Sequence, residues 1–426
     1  MPKEKLSYDP KTHFEYNGRI WTKRPSTKVF FQEMKEAKLL ANSTATKIAN
    51  IFIKEGWETF SAFETKGFAD FVALEGVSAA SAKRIASHKL VIAAEGRPIR
   101  SFQEQIEMNK GHKYLLTRVH DLNRHLNDGQ GLGFRSGTLI EFYGKPQMGK
   151  TQWMYDLAVR TMLPPEKGGW GQAVIYFDTE GAYNVNRILK CGLYWGLSEE
   201  DFEEKMYYVS PRVLSTGSDL VTHIENLDPI IQEKNVGLII IDSIIQPFKN
   251  EFKSVAGENL NFMGKRQNLL GQALMRLKSL AQTYKLIVCY TNQVIANIGG
   301  MGNQAKEIPV GGDTVGHASD LRFELKKDKS VEKSETRRMK LVDCGWLPTT
   351  VTTFCLTPFG IVDPSEVKEV LRIAETLENR DPKDKTPILN HLGQPILESK
   401  YLKFGSELEK SFKLPDLTGN FAEETS

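Results

Sequence analysis

The sequence predicts an α/β fold: a mainly parallel, twisted sheet covered on both faces, standing behind a small all-helical domain. Three observations predict it. Apolar runs such as Ala173-Val-Ile-Tyr-Phe177, Gly237-Leu-Ile-Ile-Ile241 and Leu286-Ile-Val-Cys-Tyr290 alternate with stretches of helical period, as strands buried on both faces require. Gly144-Lys-Pro-Gln-Met-Gly-Lys-Thr151 has the G-x-x-x-x-G-K-[ST] spacing that wraps backbone N–H groups around phosphates. From Phe31 to about Glu95, apolar residues including Ala37, Leu40, Ile48, Ile51, Phe52, Trp57 and Phe60 recur three and four apart.

Composition sets the outer bounds. A chain of 426 residues exceeds what one core usually supports, so at least two domains are expected. With 40% hydrophobic and 26% charged residues the chain is not disordered throughout, and no run approaches the length of a spanning helix. Met1-Pro-Lys-Glu-Lys-Leu6 lacks the apolar stretch of a signal peptide, so a protein that is not exported and has no membrane partner is expected. Cys191, Cys289, Cys344 and Cys355 lie far apart, read as free thiols of a reducing compartment, and imply no metal cage. The net charge of +3 suits a polyanion partner only where cations cluster. Lys326 to Lys340 holds seven Lys/Arg against three acids, which fits such a cluster or a solvated β-hairpin tip.

In chain order, residues 1–30 are polar with scattered aromatics and predict no regular element; they form an N-terminal extension. Residues 31–95 form the helical domain. Within it, Gly76 separates two helices and Ser78 is placed to N-cap the second. The segment Phe71 to Ile85 resembles a helix-hairpin-helix, whose turn offers backbone N–H groups to a DNA phosphate beside Lys83 and Arg84. A simple helical packing domain fits the pattern equally well. Residues 96–115, polar and carrying Pro98, read as a linker, residues 116–363 as the sheet domain, and residues 364–426 as a C-terminal extension, part helical and part disordered.

The chemistry is carried by strand ends. Thr138 to Tyr143 reads as a strand entering the phosphate loop and Gln152 to Arg160 as a helix leaving it, which a chance loop would not require. Lys150 then reaches the β/γ oxygens and Thr151 sets its hydroxyl on Mg²⁺. Pro146, Gln147 and Met148 are bulky where such loops need positive φ, so a stiffer or differently shaped loop is expected. Asp242-Ser243 ends an apolar strand, where the carboxylate can hold the Mg²⁺ through water. Asp178-Thr179-Glu180-Gly181 ends another. Glu180 is the candidate general base, with helix capping by the two carboxylates as the alternative. Tyr290-Thr291-Asn292-Gln293 places an amide where it can sense a γ-phosphate. Ile295 to Val310 is glycine-rich with little apolar pattern, and is expected to be mobile without a ligand.

Together these segments resemble the RadA recombinases of archaea and their eukaryotic counterparts, the RecA-like ATPases of homologous recombination. The resemblance runs over roughly residues 35–363. It includes the phosphate loop with Gln152, Asp178 to Gly181, Asp242-Ser243, Thr291 to Val294, Val310-Gly311-Gly312-Asp313, and Leu341-Val342-Asp343 with Leu347-Pro348. It implies a RecA-like P-loop ATPase core behind a helix-hairpin-helix domain. It also implies a helical homo-oligomeric filament on single-stranded DNA, ATP with Mg²⁺ bound between subunits, and exchange of strands with double-stranded DNA.

Carried onto this chain, Gly144, Gln147, Met148, Gly149, Lys150, Thr151 and Gln152 hold phosphate, Thr151 and Asp242 the metal, Glu180 activates water and Gln293 senses the γ-phosphate. From a neighbouring subunit, His317 approaches that phosphate while Asp343 and Pro348 cap the nucleotide. Arg187 either contacts adenine or pairs with a surface carboxylate. Two DNA loops are implied. The first offers Lys249, Lys253, Lys265 and Arg266; the second offers Ile298, Gly299, Gly300, Met301, Lys306, Gly311 and Gly312.

This chain also departs from the family. The Phe-x-x-Ala segment that docks one subunit on the next reads Phe102-Gln103-Glu104-Gln105 here, and burying Gln105 unpaired would cost about 1–3 kcal/mol. The first DNA loop is longer, Leu39 to Ile51 lacks a glycine hairpin, and the C-terminal extension has no counterpart. These departures suit a divergent recombinase, or a paralog or mediator that binds ATP and a recombinase partner without exchanging strands. A closed-ring ATPase such as a helicase or clock protein is the third reading. The resemblance places the protein in the cytoplasm at the nucleoid for an archaeal host, or in the nucleus for a eukaryotic one.

Overall fold

The computed structural model describes residues 12–96, 99, 101–251, 260–297, 306–328, 336–380, 384 and 386–397. The chain divides into two compact units, 1–111 with 220–229, and 112–219 with 230–426. Among the described residues no helix is long and apolar enough to cross a membrane.

The first unit opens with a hairpin of β1 (His13–Tyr16) and β2 (Arg19–Thr22). Its turn is Asn17-Gly18, both at positive φ (51° and 70°), a turn whose twist matches the flanking strands. Phe14 and Trp21 stand directly opposite each other and are buried. They join one core with residues of α1 (Thr27–Glu36), α2 (Asn42–Lys54), α3 (Phe60–Glu64), α4 (Phe68–Ala73) and α5 (Ala79–Ala93). The expectation of no regular element before residue 31 is therefore corrected: the alternation of the hairpin buries two aromatics against the helices. Gly76 lies between α4 and α5 at φ 89°, and Ser78 Oγ accepts from Ser81 N at 3.2 Å to cap α5. The stretch read as a linker contains a helix, α6 (Phe102–Asn109), started by the reciprocal Ser101 and Glu104 capping box.

His88, in α5, packs on Trp21 with ring centroids 4.4 Å apart and is 5% exposed. Burial lowers its pKa from 6.5 to about 4. Below 6.5 the unfolded chain takes up a proton that the folded imidazole refuses, so stability of this unit falls as pH drops from 6.5 toward 4. The loss reaches about 3 kcal/mol, at ~1.4 kcal/mol per pH unit. Urea melts at pH 7 and pH 4.5 are expected to show it, and His88→Leu to remove that part of the slope.

The second unit begins with β3 (Tyr114–Leu115), α7 (His120–His125) and β4 (Phe134–Arg135). In chain order there follow β5 (Leu139–Gly144), α8 (Lys150–Met162), β6 (Ala173–Asp178), α9 (Val185–Tyr194), α10 (Glu199–Lys205), β7 (Met206–Val209), α11 (Gly217–Glu225) and α12 (Asp228–Glu233), whose residues 220–229 count with the first unit, and β8 (Val236–Asp242). Next come α13 (Gln246–Glu251), α14 (Leu260–Tyr284), β9 (Ile287–Asn292), β10 (Val294–Asn297), β11 (Lys306–Pro309), α15 (Gly312–Ala318) and β12 (Leu321–Lys327). The chain then runs through β13 (Thr336–Cys344), β14 (Thr350–Thr357), β15 (Gly360–Val362) and α16 (Val367–Glu378). The main sheet has the order β15-β14-β13-β12-β5-β9-β8-β6-β7. From β12 to β7 all pairings are parallel, and β13 to β15 add an antiparallel edge. Every residue of β5, β6, β8 and β9 is buried, so helices and loops cover both faces, as the continuous apolar runs require.

The chain beyond Asp363 is not only an appendage. Val370, Leu371, Ile373 and Ala374 of α16 are buried, Val370, Ile373 and Ala374 lie in the same core as the sheet, and Leu397 N donates to Leu193 O at 3.2 Å. Truncation after Asp363 is expected to destabilise the second unit by about 5 kcal/mol or more, from three large apolar side chains at about 1.5–3 kcal/mol each. The urea midpoint measures it.

Candidate nucleotide and nucleic-acid site

Because β5, β6, β8 and β9 are parallel, their C-terminal ends share one edge of the sheet, and each opens there into a loop that carries one of the motifs. The phosphate loop leaves β5 and enters α8 through Gly149, which N-caps the helix at φ 95°. A Cβ at Gly149 would meet the Phe354 and Leu356 side chains at 3.3 Å, so the position needs glycine for conformation and for space. Gln147 adopts φ 64° without being glycine, and Met148 packs on the core.

Lys150 Nζ donates to the carbonyls of Gly144 and Lys145, both at 2.9 Å. Burial lowers its pKa, opposed by the carboxylates of Asp242 and Glu180. Thr151 Oγ1 donates to Asp242 Oδ2 at 2.7 Å. Asp242, 6% exposed, also accepts from Tyr176 OH at 2.9 Å and from Thr291 Oγ1. Burial raises its pKa and these three hydrogen bonds pull it back.

The two carboxylates after β6 separate in role. Asp178 accepts from the amides of Gly181 (2.8 Å), Ala182 (3.1 Å) and Tyr183 (3.2 Å) and from Tyr208 OH (3.0 Å), so it shapes the turn. Glu180 instead accepts from Ser243 Oγ and from Gln293 Nε2, the latter at 2.9 Å. Gln293 Oε1 in turn accepts from Lys249 Nζ at 2.6 Å. One amide thus connects the candidate base to the start of the first loop. Beside it, Asn292 Nδ2 donates to Glu141 Oε1 and to Val310 O, both at 2.8 Å. Glu141 is fully buried, its pKa raised by burial and lowered by Arg322, whose Nε donates at 2.6 Å.

Other expected residues fall elsewhere. Arg187 is not paired with a surface carboxylate: its Nε donates to Gln152 Oε1 at 2.8 Å and its two other nitrogens to the carbonyls of Pro358 and Thr357 at 2.5 and 2.6 Å. Those acceptors are the last residue of β14 and the first of the turn after it. His317 lies in the last turn of α15, shortly before β12 begins, and Asp343 stands opposite Arg322 near the end of β13. Both occupy the edge where β5 begins, whereas the phosphate loop sits where it ends, so one chain does not bring them together. His317, Asp343 and Pro348 are exposed.

Lys265 and Arg266 lie within α14 and not in a loop. Gly311 N-caps α15 at φ 99° and Gly312 opens that helix. Lys306 starts β11, which pairs with β10, so the ends of the second loop are a two-stranded ladder. Lys253, Ile298, Gly299, Gly300 and Met301 lie outside the described residues. Phe102 and Gln105 ride on α6, with Phe102 81% exposed. Sequence reasoning missed Tyr176, Thr291 and Asn292 as supports. The latter two stand inside a segment already singled out, while Tyr176 was hidden in an apolar strand.

The fold and this edge define a P-loop nucleotide-binding protein of the α/β class. The model of the family described as Rad51 matches residues 115–364, more than half the chain. The chain is 29% identical over 308 residues to the DNA repair and recombination protein RadA of Aeropyrum pernix, covering 70% of this chain and 91% of that protein. To the protein of the same description from Metallosphaera sedula it is 28% identical over 319 residues, covering 75% and 93%. The chain belongs to the Rad51 family.

Proposed function

We propose that this protein is an ATP-dependent recombinase that assembles on single-stranded DNA as a helical filament and exchanges strands with a duplex. The observation that carries the reading is the shared Gln293 side chain, which holds Glu180 with its nitrogen and Lys249 with its oxygen. A γ-phosphate competing for that amide would release both, so the state of the nucleotide reaches the first loop through Lys249 and the second through the backbone that follows Gln293.

Thr151 and Asp242, 2.7 Å apart with the carboxylate buried, fit a divalent cation, to which the hydrogen bond between them would give way. Mg²⁺ held by these two residues would supply charge neutralisation for the β- and γ-phosphates. Tyr176 and Thr291 keep Asp242 oriented, Lys150 turns from its two carbonyls to phosphate oxygens, and Glu180 accepts the proton of the attacking water. His317 and Asp343, at the edge of the sheet away from their own chain's phosphate loop, act with Pro348 on the nucleotide of the next subunit. Phe102 on α6 is the docking side chain, and Lys83 and Arg84 on α5 add phosphate contacts. Electron microscopy of the full chain with single-stranded DNA and a non-hydrolysable ATP analogue, alongside a strand-exchange assay, tests the proposal. Helical filaments and exchanged product are expected; small assemblies without exchange would contradict it.

A further inference from the structure

The first unit holds a cavity of about 470 Å³ between the hairpin β1–β2, the turn after α1 and one face of α5. Arg19, Lys83 and Arg84 line it and no carboxylate does. Arg19 and Arg84 each spend one nitrogen on a backbone carbonyl, of Glu36 at 3.2 Å and Leu39 at 3.1 Å, which fixes their guanidinium groups at the rim. Tyr16 offers a half-buried ring, and Asn17 and Ser87 offer exposed polar groups. His88 also lines the cavity. It is 5% exposed, and its Nε2 is buried without a hydrogen-bond partner.

We propose that this cavity captures one unstacked nucleotide of a single strand, separately from the loops of the second unit. The combination is that of single-strand recognition: an aromatic face for a base, cations for its flanking phosphates, and polar groups for the base edge. An acidic peptide would satisfy the cations, but an apolar side chain inserted from it would leave the imidazole nitrogen orphaned, whereas a base edge carries both donors and acceptors. The inference rests on the nucleic-acid part of the proposed function and not on strand exchange. All of the lining residues belong to the first unit and the phosphate loop belongs to the second, so binding here is expected without ATP.

The test uses the full chain, without nucleotide, and an oligothymidine bearing 5-iodouracil. Photocrosslinking followed by peptide mapping is expected to mark Tyr16, in the wild type and in Lys150→Ala alike. Arg19→Glu with Lys83→Glu is expected to weaken nucleotide-free binding at least tenfold at about 100 mM salt and to lower the salt slope by about 1.4, ~0.7 per phosphate contact on a single strand. Both side chains are exposed, and an unchanged melting temperature confirms the fold of the variant; Tyr16→Ala, which keeps all charges, is expected to abolish the crosslink. Crosslinks confined to residues 249–312, unchanged affinity in the double variant, or displacement of the oligonucleotide by an equimolar acidic peptide would overturn the proposal while leaving the ATP-dependent site intact. Loss of strand exchange with the Tyr16 crosslink retained would remove the recombinase reading and leave this one standing.

Discussion

Replacing Lys150 by alanine is expected to abolish ATP hydrolysis, with a loss of at least about 10²–10³ in rate, the scale for removing one preorganised donor from a charge-stabilising site. The ammonium is half-withdrawn from water, its pKa lowered by burial and supported by Asp242 and Glu180. Its present partners are two carbonyls of the phosphate loop itself, neutral acceptors that a triphosphate outcompetes through charge. Alanine at this position leaves α8 intact, because Gly149 rather than Lys150 caps it. The expected result is therefore a folded protein with an unchanged melting temperature that neither hydrolyses ATP nor binds DNA in an ATP-dependent way. A variant that retains wild-type turnover would remove Lys150 from the mechanism.

Glu180→Gln is expected to give the opposite split. The amide oxygen can still accept from Ser243 and Gln293, so the geometry that links the site to Lys249 is retained. What is lost is the acceptor for the proton of the attacking water, a change that costs about 10²–10⁴ in rate for general-base catalysis. ATP and single-stranded DNA are expected to bind as in the wild type, with turnover reduced by that factor and the DNA complex longer-lived. Comparing single-turnover hydrolysis with DNA affinity in the same buffer separates the two effects. Hydrolysis within a few fold of wild type would pass the role of base to another group.

Much of the second unit was legible because buried parallel strands leave continuous apolar runs, and the carboxylates and amides that follow them stand out against that background. The phosphate loop, β6, β8 and β9 were read that way, and their parallel pairing brings the named residues to one edge. The hairpin at residues 13–22 was missed although its signals are local: Phe14 and Trp21 alternate with polar neighbours around Asn17-Gly18. The packing role of α16 was missed too, although Val370, Leu371 and Ala374 recur at helical spacing. Other features could not be read from local pattern. Arg187 finds its carbonyls 170 and 171 residues away, and Asp242 takes hydrogen bonds from Tyr176, Thr151 and Thr291, all distant in sequence. Nor does spacing say that Asp178 spends its oxygens on loop amides while Glu180 keeps one toward Gln293; only the turn after β6 decides that.

The central claim is that the terminal phosphate, through Gln293, controls the grip on a nucleic acid strand. Fluorescence anisotropy of a labelled single strand, titrated with the protein in ATP analogue, in ADP and without nucleotide, measures it directly. The account predicts binding at least tenfold tighter with the triphosphate than with ADP, a difference of about 1.4 kcal/mol, and collapse of that difference in Gln293→Ala. Equal affinity in all three conditions, or a difference that survives Gln293→Ala, would contradict it.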